Sequence, residues 1–265
     1  MSRRSLSPDG ITPELMLRAY SIGVFPMAES AHDPWLHWIE PRQRGIIPFD
    51  RIHISRSLAK VIRTNIFEIR INSNFNGVVE ECANMRETTW ISHRLRELYS
   101  ALHEQGFAHS VEVWDEKNNL VGGLYGVEVN GLFAGESMFH RKTDASKTAM
   151  VYLVEKLKNA GGERIFDVQW QTPHLKSMGV IEISRIKYLN QLKSLTKRLK
   201  KLDLRLSSLI LFKLYIHRSS ILPQAASPKL ESVPLLFKNL LKKQIPLFSS
   251  LGISLKTAIL QVRKY

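Results

Sequence analysis

Apolar positions after Asp144 follow the spacing of one face of a helix. This pattern predicts a helix that begins near Asp144 and ends at Gly161 and Gly162, because glycine is common just past a helix C-terminus. The apolar residues at i, i+3, i+4 and i+7 of this helix are Met150, Leu153, Val154 and Leu157. The chain therefore contains at least one long amphipathic helix.

Two more helices are predicted nearer the N-terminus. The first runs from Thr12 to Ile22, where Thr12 is a suitable cap, Pro13 fits the first helical position and Gly23 follows the end. The second runs from Leu95 to Glu104. Prolines interrupt much of the first 60 residues, which predicts a small, loop-rich N-terminal domain over 1–60.

Strand and helix patterns alternate between Lys60 and Leu192. Three of the predicted strands, Ser110–Trp114, Asn119–Val129 and a strand from Leu132 onward, are expected to be antiparallel. The pair Gly122-Gly123 indicates a bulge or a close approach to the backbone, and a bulge is the commoner explanation. A further strand is predicted from Arg164 to Trp170, so we expect an α+β domain over 61–192.

Charge is distributed very unevenly. The 265 residues have a formal net charge of +14, but Lys193 to Tyr265 alone hold 15 Lys or Arg against two acidic residues. Any RNA contact in the nearly neutral first part must therefore come from a local patch. The region 193–265 is a basic Leu/Lys-rich extension, for which two hypotheses remain: basic amphipathic helices over 195–216 and 235–243, or a poorly ordered tail.

Composition excludes several classes of protein. The single cysteine, Cys82, rules out an internal disulfide framework and a Cys-based zinc site. No apolar stretch approaches the roughly 20 residues of a membrane span, and the N-terminus lacks a signal-peptide pattern. Walker, Gly-x-Gly-x-x-Gly, Gly-x-Ser-x-Gly and His-Glu-x-x-His motifs are also missing. We expect a cytoplasmic protein without a metal, cofactor or integral membrane contact.

Polar residues on two strands are candidates for chemistry. The period of two places Ile165, Asp167 and Gln169 on one face of their strand, where they line a cleft if the face is buried. The residues alone favour the alternative, a solvated face. Glu136 follows the apolar strand that starts at Leu132 and either belongs to a site or ends the strand. Four tryptophans are either core residues or a platform for an aromatic ligand: Trp38, Trp90, Trp114 and Trp170.

Short sequence blocks between residues 10 and 190 occur in a characteristic order. Among them are Gly23-Val24-Phe25-Pro26-Met27, Ala108-His109-Ser110-Val111-Glu112-Val113-Trp114, Gly135-Glu136-Ser137-Met138-Phe139 and Asp167-x-Gln169. Together they resemble the leucyl/phenylalanyl-tRNA–protein transferase family. The resemblance implies a small N-terminal domain joined to a GNAT-like acyltransferase domain with a mainly antiparallel sheet. It also implies transfer of Leu or Phe, less readily Met, from aminoacyl-tRNA to proteins beginning with Arg or Lys, which marks them for N-end-rule degradation.

The resemblance also implies a set of site residues. Asp167, Gln169 and Glu136 match the family's catalytic positions, and Trp38 matches the aromatic residue that receives the terminal adenosine. The apolar pocket for the transferred side chain is expected from Leu124, Phe133, Met150, Leu153 and Phe166, and Trp90 is a further expected substrate contact. An apolar pocket of this kind rejects polar side chains by desolvation and β-branched ones by shape.

The chemistry of aminoacyl transfer suits these residue types. An aminoacyl ester is already activated, so an oriented neutral amine is the main requirement. An Asp with an ordinary pKa of about 3.9 is a poor base for an α-ammonium near 8, so Asp167 is assigned to holding and polarising the amine, with the help of Gln169. Glu136 is expected to pair with the cationic acceptor. The final proton acceptor stays open.

Two departures and two alternatives accompany the resemblance. His37 stands where relatives often have tryptophan, and the region after Lys193, which has no counterpart, is either an added interaction segment or a frame-shifted extension. The first alternative is a GNAT-type acyl-CoA transferase, disfavoured because the pyrophosphate-binding loop is missing. The second is a non-catalytic RNA-binding relative that acts through its basic tail. The oligomeric state is left open.

Overall fold

A computed structural model describes residues 4–6, 10–85 and 87–195. The N-terminal part of the fold contains one helix and a three-stranded antiparallel sheet: α1 (Pro13–Ser21), β1 (Arg4–Leu6), β2 (Phe25–Met27) and β3 (Leu36–Ile39). Strand β3 is the central strand. The Thr12 side chain accepts a hydrogen bond from the Leu15 N–H, and Pro13 is the first helical residue, so the predicted start of α1 is confirmed.

Seven strands form the main sheet: β4 (Gln43–Ile47), β5 (Glu68–Ile71), β6 (Ala108–Trp114), β7 (Leu120–Val129), β8 (Leu132–His140), β9 (Ile165–Gln169) and β10 (Ile181–Ser184). Their spatial order is β10, β4, β9, β8, β7, β6 and β5. Only β8 and β9 pair in parallel, and the other neighbours are antiparallel. The expected α+β class with a mainly antiparallel sheet is confirmed.

Helices cover both faces of this sheet: α2 (Arg56–Thr64), α3 (Phe75–Asn84), α4 (His93–Glu104), α5 (Ala145–Asn159) and α6 (Pro173–Ser177), with residues 185–195 also helical. Helix α5 connects the parallel strands β8 and β9 and packs against Leu124, Phe133 and Phe166. Helices α3 and α4 pack on the opposite face, with Tyr125 and Val127. The four apolar residues predicted to face the core from α5 are all buried.

One local expectation is supported and one was wrong. The β6–β7 register shifts beside Gly122, which pairs with Val113 while Leu120 pairs with Trp114, as the expected bulge requires. Both glycines also lie in close packing: a Cβ on Gly122 would lie 2.5 Å from the Cβ of Ala145, and one on Gly123 would lie 2.8 Å from the Val111 carbonyl oxygen. Glycine at position 122 therefore lets the start of α5 approach the sheet. The face of β9 that the residues alone favoured as solvated is buried: Ile165, Asp167 and Gln169 are 7%, 0% and 6% exposed.

The described residues cover only part of the predicted division into three regions. The boundary at residue 60 stays a prediction, and β4, which precedes it, belongs to the main sheet. Residues 196–265, including nearly all of the two predicted tail helices, lie outside the described residues. Within the described ranges, every helix is too short or too polar to cross a membrane.

Candidate active site

A cavity of about 760 Å³ opens where β7, β8 and β9 meet the first turns of α5. Its walls combine apolar side chains with a few polar ones. The predicted site residues that line it are Trp90, Leu124, Glu136, Met150, Phe166 and Gln169. A concave apolar cavity with a small number of converging polar groups is the usual form of a small-molecule site.

Glu136 is the acidic residue of this cavity. It lies on β8, is 8% exposed and receives one phenol hydrogen bond on each carboxylate oxygen. The Tyr20 hydroxyl donates to Oε1 at 2.9 Å, and the Tyr99 hydroxyl donates to Oε2 at 2.7 Å. The Gln169 side-chain amide also approaches Oε1, at 3.4 Å. Helices α1 and α4 thus both support a carboxylate on the sheet.

Burial raises the pKa of the Glu136 carboxyl to about 7. The hydrogen bonds from Tyr99 and Tyr20 lower this pKa, the nearby Asp167 carboxylate raises it, and the Arg44 guanidinium lowers it. Glu136 therefore changes charge near neutral pH. A carboxyl tuned in this way can take up and release protons under physiological conditions.

Asp167 lies behind the cavity wall and does not line it. Arg44 Nε donates to both carboxylate oxygens, at 2.9 and 3.0 Å, and Arg44 Nη2 donates to Oδ2 at 2.6 Å. The Tyr188 hydroxyl donates to Oδ2 at 2.8 Å, and the Gln169 backbone N–H donates to Oδ1 at 2.9 Å. Both oxygens of the Asp167 carboxylate therefore already accept hydrogen bonds. The predicted role of Asp167 in holding and polarising the acceptor amine can operate only through the residues that contact this carboxylate.

Arg44 is a site residue that the sequence analysis missed. It lies on β4, is 2% exposed, and its guanidinium packs between the rings of Phe25 and Tyr188 at 4.6 and 4.7 Å. Its Nη1 donates to the Gly23 carbonyl at 3.2 Å, which joins the N-terminal part of the fold to the main sheet. Burial alone would lower the pKa of Arg44, but the Asp167 carboxylate raises it above its ordinary value. The one sequence signal for this buried pair was an arginine immediately before the apolar end of β4, Gly45–Ile47.

Gln169 adopts an unusual backbone conformation. Its φ is +60°, in the left-handed region, and the Trp170 N–H donates to the Val168 carbonyl at 2.7 Å around it. This i to i+2 bond with positive φ is the rare, strained form of a γ-turn. The β4–β9 register also shifts here, with Gly45 opposite Gln169 and Ile46 opposite Asp167. The irregularity explains why Gln169 and Val168 both line the cavity although strand periodicity would separate them.

The other predicted substrate contacts lie in different places. Phe133 and Leu153 pack behind the cavity in the core, and Phe133 meets Phe166 edge-on with 5.4 Å between ring centroids. Trp38 is 9% exposed, lies in the core and does not line the cavity, and its indole N–H is unpaired among the described residues. Trp170, which was not chosen for the site, lines the cavity beside Trp90.

A second group of polar side chains lies on β3 and in the loop that precedes it. Glu29, Asp33 and His37 each place a potential ligand atom within 4.8 Å of the others. Both oxygens of Asp33 already accept backbone hydrogen bonds, one from Glu29 and one from Trp35. These bonds show that Asp33 stabilises the loop between β2 and β3. This structural role explains why the three side chains lie close together.

The fold and cavity define an α+β protein with one buried carboxylate in the wall of a largely apolar cavity. Residues 46–193 match the sequence model of the leucyl/phenylalanyl-tRNA protein transferase family, and residues 9–42 match its N-terminal domain. A protein of this name from Cereibacter sphaeroides is 53% identical over 183 residues, 69% of this chain and 84% of that relative. A protein of the same name from Rhodopseudomonas palustris is 50% identical over 190 residues, 71% of this chain and 84% of the relative.

The chain therefore belongs to the leucyl/phenylalanyl-tRNA–protein transferase family, as the sequence motifs predicted. A solved structure of L-PGS from Bacillus licheniformis aligns with a TM-score of 0.36 and 12% identity, over 50% of this chain and 48% of that one. The family match ends at residue 193, and so leaves most of the basic extension without a matched counterpart.

Proposed function

We propose that this protein transfers Leu or Phe, and less readily Met, from a charged tRNA to the N-terminal Arg or Lys of an acceptor protein. The cavity that joins an apolar wall to the Glu136 carboxyl and the Gln169 amide is the observation that carries this proposal. We further propose that the product is an N-end-rule degradation signal. Charged tRNA is made in the cytoplasm, where we expect the protein to act.

The apolar wall suits the amino acid that is transferred. Leu124, Met150 and Phe166 line the cavity and are almost fully buried, so a flexible or aromatic apolar side chain exchanges water for protein contacts there. A polar side chain would lose its hydrogen bonds to water without replacement. A β-branched side chain would differ from Leu mainly in shape. The cavity should therefore discriminate against it less strongly, by roughly 10- to 200-fold in kcat/KM.

The polar side of the cavity suits an amine acceptor. Glu136 is the sole acidic residue among the described residues that line the cavity, so the cationic N-terminus of an acceptor protein is attracted to it. The Gln169 amide, fixed by the strained turn, lies beside this carboxylate and is positioned to orient the amine. Attack on an activated ester then requires orientation more than a covalent nucleophile.

The tRNA itself would need a local basic surface, because the part of the chain before the extension is nearly neutral. Helix α2 supplies one: Arg56, Lys60 and Arg63 are exposed, and the helix contains no acidic residue. Spacings of four and three residues place these side chains along one side of the helix. We propose that they contact tRNA phosphates, where each contact releases counterions and makes binding dependent on salt.

The test is a comparison of donors and acceptors with the full chain. Single-turnover transfer is measured from Leu-, Phe-, Met- and Val-tRNA to one peptide that begins with Arg and to the same peptide beginning with Ser. We expect transfer from Leu- and Phe-tRNA to the Arg peptide, weaker transfer from Met-tRNA, and little to the Ser peptide. Equal transfer from Val-tRNA, or equal use of both peptides, would overturn the assigned specificity.

A further inference from the structure

The two buried carboxyls of the site differ in whether they can receive a proton from a substrate. Asp167 is 0% exposed, does not line the cavity, and has both oxygens occupied by Arg44, Tyr188 and the Gln169 backbone. A proton on Asp167 would have to displace part of a paired guanidinium contact. The group that deprotonates the acceptor must therefore be sought elsewhere.

Glu136 meets the requirements that Asp167 does not. It lines the cavity, and its hydrogen bonds come from neutral donors and not from a paired cation: Tyr20 on α1, Tyr99 on α4 and the Gln169 amide on β9. The remaining titratable groups that influence it are Asp167 on β9 and Arg44 on β4, which act in opposite directions.

Tyr125 on β7 completes the surroundings of this carboxyl. Its ring packs against Tyr99 at 5.2 Å, and its buried hydroxyl has no partner among the described residues although it belongs to the cavity wall. Burial raises its pKa well above the ordinary value, and the neighbouring Glu136 charge raises it further. Tyr125 therefore stays neutral and adds no charge beside Glu136.

We propose that Glu136 accepts the proton of the acceptor's α-ammonium group and that Tyr20 and Tyr99 are positioning residues that keep this carboxylate ionised. The inference rests on the proposed function and assigns the proton acceptor within that reaction. The sequence led us to expect that Glu136 pairs with the cationic acceptor. In this proposal, that pairing is a second effect of the same carboxylate charge.

The proposed step balances in protons and charge. The Glu136 carboxylate takes one proton from the α-ammonium and becomes a carboxylic acid, which leaves a neutral amine. The amine nitrogen attacks the ester carbonyl carbon, and a C–N bond forms. Collapse of the tetrahedral intermediate breaks the bond to the ribose oxygen, which leaves with the second amine proton. Glu136 then releases its proton to solvent, so the net products are an amide, a free ribose hydroxyl and one proton.

The experiment is a pH–rate profile of the full chain under saturating acceptor, for wild type, Tyr99→Phe, Tyr20→Phe and Glu136→Gln. Removing either phenol removes a hydrogen bond that favours the charged carboxylate, so the acidic limb of kcat should move to higher pH by about one unit. The variants should lose roughly tenfold in rate near pH 6.5 and less than about twofold at pH 9. Tyr152→Phe is the matched control, because it removes a phenol from α5 away from Glu136 and should leave the limb in place.

Glu136→Gln separates the two roles of this residue. The proposal predicts a fall in kcat with every acceptor and loss of the acidic limb. A Glu136 that only recognises the acceptor's side chain would give a raised KM for Arg peptides, an unchanged kcat, and unshifted limbs in Tyr99→Phe and Tyr20→Phe. That result overturns the inference and leaves the transferase function standing. Absence of transfer by wild type at every pH would instead refute the proposed function.

Discussion

Replacing Arg44 by methionine would test how the site is built. Methionine keeps most of the side-chain length but removes the guanidinium, which makes three contacts with Asp167 of 3.0 Å or less. The Asp167 carboxylate would then remain in a fully buried position with hydrogen bonds only from Tyr188 and the Gln169 backbone. An uncompensated buried charge is the main consequence of this substitution.

The expected cost follows from this geometry. Removing one partner of a buried ion pair typically lowers the free energy of unfolding by about 3–5 kcal/mol, and domains have only about 5–15 kcal/mol in total. Arg44→Lys keeps the charge but loses the planar fork, so we expect a smaller loss of about 1–3 kcal/mol. In Arg44→Met combined with Asp167→Asn neither charge remains, and part of the loss should be recovered.

Urea unfolding of the full chain, followed by tryptophan fluorescence, would measure these differences. Arg141→Met is the matched control, since Arg141 is 51% exposed and pairs with Glu81 on the surface, where a pair contributes about 0–1 kcal/mol. A free energy of unfolding of Arg44→Met within 1 kcal/mol of wild type, or a double variant less stable than Arg44→Met alone, would contradict a stabilising role of the Arg44–Asp167 pair.

Three further predictions concern the cavity, the basic helix and pH. Met150→Phe narrows the apolar wall, so kcat/KM for Phe-tRNA should fall at least tenfold more than that for Leu-tRNA, and an equal fall would contradict the pocket assignment. Lys60→Glu and Arg63→Glu should raise the KM for charged tRNA and reduce the salt slope by roughly one per lost phosphate contact, whereas Lys158→Glu on α5 should not. Because the folded-state pKa of Glu136 is raised from 4.5 to about 7, its protonated form stabilises the fold at low pH, and this stability is lost as pH rises through 7. Glu136→Gln should therefore gain stability relative to wild type between pH 4.5 and 7, by at most about 3 kcal/mol, as measured by urea unfolding.

Local sequence signals were sufficient for several elements. Helix α1 has its cap, its N-terminal proline and its glycine stop within a dozen residues, and α5 shows its buried face in the spacing of Met150 and Leu153. Strands β6, β7 and β8 are largely apolar runs joined by short turns, so their antiparallel pairing was predictable. In these elements, local propensity and tertiary packing agree.

The arrangement of the site depends on contacts that local patterns do not contain. Arg44 and Asp167 are 123 positions apart in the sequence, and Tyr20 lies 116 positions from Glu136. The strand period placed Asp167 and Gln169 on one face, but the irregularity at Gln169 brings only the second into the cavity. Whether a tryptophan such as Trp38 belongs to the core or to a ligand platform is likewise decided by what packs on it.

The most direct test of the central claim is mass spectrometry of an Arg-initiated peptide incubated with Leu-tRNA and the full chain. The account predicts a product that is heavier by one leucyl residue, carries it on the α-amine, and does not form when that amine is acetylated or the tRNA is uncharged. Folded protein and charged tRNA that yield no such product, at any pH from 6 to 9, would contradict the assignment of this cavity as an aminoacyl transfer site.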